Sequence, residues 1–130
     1  MSATISNKLE KHNVRVQTEG NSRVLIIPPK ASGYGSSVNG GELLLLAIAT
    51  CFCNDIYREA GKRNIAISEV EITASAEFDN EEEPGKNFKY KVRVKAKASD
   101  EEIKDLIRHT DRIAEIHNTI RQGVPVDLEE

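Results

Sequence analysis

Gly41-Glu42-Leu43-Leu44-Leu45-Leu46-Ala47-Ile48-Ala49-Thr50-Cys51-Phe52-Cys53-Asn54-Asp55-Ile56-Tyr57-Arg58-Glu59-Ala60 begins apolar on every side and turns abruptly polar in its second half. A helix that is apolar all round must be buried on all sides. The run therefore predicts a helix driven through the core, ending at about Lys62 with Gly61 nearby. Both cysteines of the chain, Cys51 and Cys53, sit where the apolar part ends. Two positions apart on a helix is about 200° of rotation, so the thiols point to nearly opposite sides and cannot bridge without unwinding it.

The rest of the chain sets what that helix packs against. Before it, Val14-Arg15-Val16-Gln17-Thr18 and Arg23-Val24-Leu25-Ile26-Ile27 read as a strand pair around the turn Glu19-Gly20-Asn21-Ser22, ended by Pro28-Pro29. The small-residue segment Ala31 to Gly40 reads as a loop delivering the chain to the helix. No Lys-Ser/Thr pair follows its glycines, so it makes a poor phosphate loop. After the helix, Val70, Ile72, Ala74, Ala76 and Phe78 alternate with polar residues, and so do Phe88, Tyr90, Val92, Val94 and Ala96. The outer face of the first strand carries Glu71 and Glu77, and that of the second carries Lys89, Lys91, Arg93, Lys95 and Lys97. Opposite charges across neighbouring strands favour pairing, which predicts an antiparallel hairpin with one face on the core.

Ser99-Asp100-Glu101-Glu102 is a capping box opening a second helix that reaches about Arg121. Its apolar stripe runs through Ile103, Leu106, Ile107, Thr110, Ile113, Ala114, His117 and Ile120. Gly123 stops it, and Val124-Pro125-Val126-Asp127-Leu128 reads as a short edge strand. The order is β-β-α-β-β-α-β, an α+β fold with antiparallel sheet and a buried central helix, read as one domain over residues 1–130.

Composition narrows the function. Charged residues make up 30 % and hydrophobic ones 38 % of 130 residues, with a formal net charge of -3 and no tryptophan. Phosphate neutralisation and base stacking are therefore not expected, so no nucleic-acid partner is. The run Leu43–Ala49 is too short to cross a bilayer, and Met1-Ser2-Ala3-Thr4-Ile5-Ser6 lacks a charged segment followed by an apolar one. No membrane partner and a cytoplasmic location are the expectation. Two cysteines without histidines at ligand spacing make no zinc site, and no metal or cofactor is expected.

Two side chains carry candidate chemistry. A nucleophilic thiol must be a thiolate. Cys51 lies mid-helix with Asp55 four residues on, and a carboxylate there opposes ionisation unless an arginine neutralises it. Cys51 thus reads either as a core cysteine or as a nucleophile. His117, on the core-facing stripe with Glu115 and Asn118 nearby, reads as a core histidine or as a base beside Cys51.

The run Glu-Leu-Leu-Leu-Leu-Ala-Ile-Ala-Thr-Cys-Phe resembles the central helix of the OsmC/Ohr proteins, named for osmotically inducible protein C and organic hydroperoxide resistance. His117-Asn118-Thr119-Ile120-Arg121-Gln122-Gly123-Val124-Pro125-Val126 resembles the end of that family's second long helix and its terminal strand. The resemblance spans about Val14 to Leu128. It implies an intertwined homodimer with two active sites at the interface. It also implies a peroxidatic thiolate at Cys51 that attacks organic hydroperoxides, activated by an arginine and a glutamate and resolved by a second cysteine. Without gaps the glutamate position falls at Gly41, with Glu42 one residue off. The arginine falls on Arg23, and the resolving position near Ala114 holds no cysteine. A thiol-dependent peroxidase of this kind depends on an external thiol reductant. The alternative is a non-enzymatic or structural member that holds a small apolar ligand, its lining drawn from Asn54, Asp55, Arg58, Glu115, His117 and Asn118.

Overall fold

A computed structural model describes residues Met1–Glu130, whose contacts gather into two compact units, 1–43 and 44–130. The first unit is a three-stranded antiparallel meander, β1 (Ser2–Lys8), β2 (Lys11–Thr18) and β3 (Asn21–Leu25), in the order β1-β2-β3. The turn between β2 and β3 is Glu19-Gly20, with φ of 49° and 82°. Two left-handed residues give the twist that suits a two-residue hairpin. β1 was not expected from the sequence, because Ser-Ala-Thr-Ile-Ser-Asn-Lys has almost no apolar alternation. Its pairing with β2, from Ser2 opposite Gln17 to Lys8 opposite Lys11, supplies the order instead. β3 stops at Leu25, so Ile26 and Ile27 lie outside it and Ile26 is exposed.

The long helix α1 (Gly40–Lys62) opens on a reciprocal cap. Asn39 Oδ1 accepts from Glu42 N–H at 2.8 Å, and Glu42 Oε1 accepts from Asn39 N–H at 3.0 Å.

The second unit takes α1 from Leu44 onward, then β4 (Ile67–Glu77), β5 (Lys86–Ala96), α2 (Asp100–Ile113) and α3 (Glu115–Gln122). β4 and β5 pair antiparallel, with Val70 opposite Val94, Ile72 opposite Val92 and Ala74 opposite Tyr90 on the inner face. On the outer face Glu69 meets Lys95 at 3.1 Å and Glu71 meets Arg93. The antiparallel hairpin expected from the charge pattern is thus present, in a register that sets these charges opposite each other. Phe52, Ile56 and Ala60 of α1 and Leu106 of α2 form the buried centre, with Ile65, Ile67, Val70, Ile72, Tyr90, Val92, Val94 and Ile107 packed against it. α2 opens on the expected capping box, Ser99 with Glu102.

Two expectations are corrected here. The second helix is broken: Ala114 leaves the helical region, at φ -65° and ψ 112°, and α3 starts anew. No proline or glycine causes this. The Asn118 side-chain amide donates to the Arg112 carbonyl at 3.0 Å and satisfies an acceptor freed at the end of α2. Gly123, at φ 62°, then ends α3 as read from the sequence. The segment Val124–Leu128 forms no strand, and Val126 and Leu128 stand exposed. Alternation specifies a strand only where a sheet edge accepts its backbone, and no strand of this chain pairs with it.

α1 is long and apolar enough, by length and composition, to cross a bilayer. Its second half nevertheless carries Asp55, Arg58 and Glu59 and packs into the core just described. Its first half is less covered, with Leu46 59 % exposed.

Candidate functional site

Cys51 lies one turn before Asp55 on α1, and its thiol donates to Asp55 Oδ2 at 3.6 Å. Asp55 Oδ1 accepts from Arg58 Nη1 at 2.9 Å, and Arg58 Nε donates to Glu59 Oε2 at 3.1 Å. Glu59 also meets Lys62 at 2.8 Å and His109 of α2 at 2.7 Å. Asp55 and Glu59 are 7 % and 5 % exposed, so both carboxylates are buried with partners. Lys62, His109 and Arg58 together hold the Glu59 carboxyl down to about 2, against the opposing effect of burial.

Helix α3 reaches the same thiol from the other side. Its first residue follows Ala114, whose side chain caps nothing. The backbone amides of Ile116 and Glu115, at the uncapped start of α3, act on the Cys51 thiol from outside α1 and lower its pKa. They favour the thiolate. Burial, the Asp55 charge and the bond to Asp55 outweigh them, and the Cys51 pKa is raised. The break at Ala114 therefore leaves the first amides of α3 open near Cys51, where the continuous helix expected from the sequence would have bonded them internally. The sequence holds a signal for it only in Asn118, whose amide can compete for a backbone carbonyl.

His117 faces elsewhere. It is 5 % exposed, and neither ring nitrogen has a hydrogen-bond partner. Its ring lies edge-on to Tyr90, with centroids 4.7 Å apart, and 6.1 Å from Phe52. A buried polar atom without a partner costs about 1–3 kcal/mol. Burial, and then the Arg121 charge, push the His117 pKa down, so the ring is held neutral. It lines a cavity of about 120 Å³ together with Ile48, Phe88, Tyr90 and Ile120. Tyr90 is committed: its hydroxyl donates to Asp111, which also takes Arg121 at 2.6 Å. Burial and Asp111 push the Tyr90 pKa up.

The other sequence candidates separate. Asn54 lies beside Cys53 in a shallow depression with Ala49, Thr50, Val70 and Ile72. Asn118 is spent on the Arg112 carbonyl and on Arg121, at 3.1 Å. Glu115 reaches Cys51 through its backbone, while its side chain is exposed. In the first unit, Glu42 serves the start of α1 and Arg23 is an exposed residue of β3 opposite Val16. Thus Asp55 and Arg58 gather at Cys51, His117 stands in its own cavity, and Asn54 and Asn118 serve other places. The sequence reading missed Glu59 with His109, and Tyr90 with Asp111. Each joins residues at least 21 positions apart. Both cysteines are free.

A thiol presented on a long helix, backed by an antiparallel hairpin and a pair of shorter helices, defines the class. The family model OsmC, described as OsmC-like protein, matches residues 33–129, and the chain belongs to that family. No curated protein sequence matches it. Solved structures agree on the fold. An OsmC-like protein of Mycoplasma pneumoniae is 21 % identical, with a TM-score of 0.60 over 95 % of this chain and 89 % of that one. The organic hydroperoxide resistance protein OhrB of Bacillus subtilis is 21 % identical, with a TM-score of 0.55 over 99 % and 97 %. An organic hydroperoxide resistance protein OsmC of Legionella pneumophila is 22 % identical, with a TM-score of 0.54 over 98 % and 95 %.

Proposed function

We propose that the protein reduces organic hydroperoxides through Cys51, as a one-cysteine enzyme served by an external thiol. The observation that carries the reading is the Cys51 thiol bonded to Asp55 Oδ2 at 3.6 Å, with Arg58 Nη1 held on the same carboxylate at 2.9 Å. The backbone amides of Ile116 and Glu115 lower the thiol pKa and so favour the negative charge that grows on sulfur as it attacks. Asp55 is placed to take the thiol proton, with Arg58 balancing its charge. The sulfur then bonds to the distal peroxide oxygen, the O–O bond breaks, and the alcohol leaves with a proton. Cys51 becomes a sulfenic acid. One external thiol condenses with it and releases water, and a second exchanges to restore Cys51. In this reading Asp55 stands as the base at the thiol and Arg58 as its counter-charge, in place of Glu42 and Arg23.

The same reading has the protein act in the cytoplasm as a homodimer. The exposed Leu46 in an otherwise apolar half-helix supports a covering second chain. Sedimentation at micromolar concentration should give twice the chain mass, and a monomer would count against it.

The activity is tested by peroxide consumption with a dithiol donor. Wild type should consume cumene hydroperoxide, Cys51→Ser should not, and Cys53→Ser should. A sulfenic-acid probe should label Cys51 after one equivalent of peroxide. If peroxide leaves Cys51 unmodified in the folded protein, the reading gives way to a non-enzymatic ligand-binding role.

A further inference from the structure

Asp55 and Glu59 are the two buried carboxylates of the chain, and only Asp55 has a part in the reaction proposed above. They stand one turn apart on α1 and share one guanidinium. Arg58 donates from Nη1 to Asp55 at 2.9 Å and from Nε to Glu59 at 3.1 Å, so two sides of its planar fork each have an acceptor. The Arg58 side chain is half exposed, and a long side chain in that position has other rotamers open to it. Its pairing with Asp55, three residues away on the same helix, is weak by itself. Glu59 is held more firmly. Lys62 grips Oε2 at 2.8 Å, and His109 grips Oε1 at 2.7 Å from a different helix, α2. Glu59 is also the foremost of the groups that raise the Arg58 pKa, with Asp55 next.

We propose that Glu59 is a positioning residue for the thiol: braced by His109 and Lys62, it holds the Arg58 guanidinium against Asp55 and so keeps the Asp55 charge balanced beside Cys51. The inference rests on the proposed reaction, in which Asp55 takes the thiol proton, and adds the anchor that keeps its counter-charge in place. Without that anchor Arg58 is free to turn to solvent. Asp55 then stands with its charge unbalanced, 3.6 Å from the sulfur, and the thiol ionises less readily. The charged groups involved are Asp55, Arg58 and Lys62 of α1 and His109 of α2, while α3 meets the thiol with the backbone amides of Glu115 and Ile116.

The test follows iodoacetamide labelling of Cys51 against pH in the full chain carrying Cys53→Ser, a measurement that needs no peroxide. Glu59→Gln removes the charge and keeps the shape, and Glu59→Met removes charge and acceptor at similar length. Both should move the labelling profile to higher pH and slow labelling several-fold at neutral pH, because labelling follows the thiolate fraction. In an Asp55→Asn background the same two substitutions should leave labelling unchanged, since no carboxylate charge then needs balancing. By NMR of the isotope-labelled chain, the Arg58 Nε–H should exchange slowly with water in the parent and rapidly in Glu59→Met. A Glu59 that only holds α1 to α2 would change labelling by the same factor with and without Asp55, and that result overturns the proposal. So does labelling that both Glu59 variants leave unchanged or speed up, or an Arg58 signal that keeps its protection. Peroxide consumption is read on the same proteins: a parent inert to cumene hydroperoxide overturns the enzymatic reading, while labelling and exchange still decide the role of Glu59.

Discussion

Glu59 and His109 meet at 2.7 Å across fifty positions of sequence and join α1 to α2 through a buried carboxylate. Arg58 and Lys62 complete its partners. Removing a buried charge's counterpart leaves the remaining groups unpaired, and that is where single substitutions cost most.

Glu59→Gln should lower the melting temperature at neutral pH by several degrees. The pH dependence follows from the sign. The Glu59 pKa is about 2 in the fold against the ordinary glutamate value of 4.5, so the unfolded chain takes up a proton first as pH falls. The stabilisation is complete above about 4.5 and is lost as pH falls through about 2. Wild type and Glu59→Gln should therefore converge at the acid end of a series of thermal melts. Parallel curves throughout would show that the carboxylate contributes no charge-dependent stability.

Asp55→Asn separates two effects at the thiol. Asp55 holds the Cys51 pKa up by its charge and by its hydrogen bond. The variant should raise the rate of iodoacetamide labelling of Cys51 several-fold at neutral pH, because labelling follows the thiolate fraction. Peroxide reduction should fall in the same variant if Asp55 takes the thiol proton. A parallel rise of both rates would remove Asp55 from the reaction.

His117 acts in the same direction as Glu59, in a different window. Burial lowers its pKa below 6.5, so the unfolded chain binds the proton more readily. Stability should fall as pH falls from about 6.5, until His117 is protonated in the fold as well. His117→Phe should flatten that slope in denaturant titrations between about pH 7 and pH 5. An unchanged slope would mean that the ring finds a partner in solution.

Leu106 is fully buried against Phe52 and Ile56. Leu106→Ala should cost about 2–5 kcal/mol in urea unfolding, the usual range for a leucine removed from a packed core. A cost below about 1 kcal/mol would show that α2 is loosely held.

Much of the second unit was legible because its signals are local. The alternation of Val70, Ile72 and Ala74, with Glu71 among their neighbours, and of Tyr90, Val92 and Val94 against basic ones, states the hairpin; its register, Val70 opposite Val94, came from the structure. Ser99 with Glu102 states where α2 begins, and Gly123 states where α3 ends. Each depends on residues a few positions apart or directly opposite, so a linear reading reaches it. Family membership rode on the run into Cys51 and on the segment from His117.

Tertiary structure decided the rest. β1 exists because β2 offers it an edge, and Val124–Leu128 stays unpaired because no strand of this chain does the same. The pattern from Ile103 to Ile120 states one amphipathic helix; the break at Ala114 depends on Asn118 reaching back to Arg112. That break turns the start of α3 toward Cys51, and it leaves His117 in a cavity rather than beside the thiol. By itself the sequence determined which faces are apolar and where the caps lie, since propensity and periodicity act over a few residues. Which polar groups meet inside was settled by packing, since a buried hydrogen bond requires a partner that only the folded chain brings within about 3 Å.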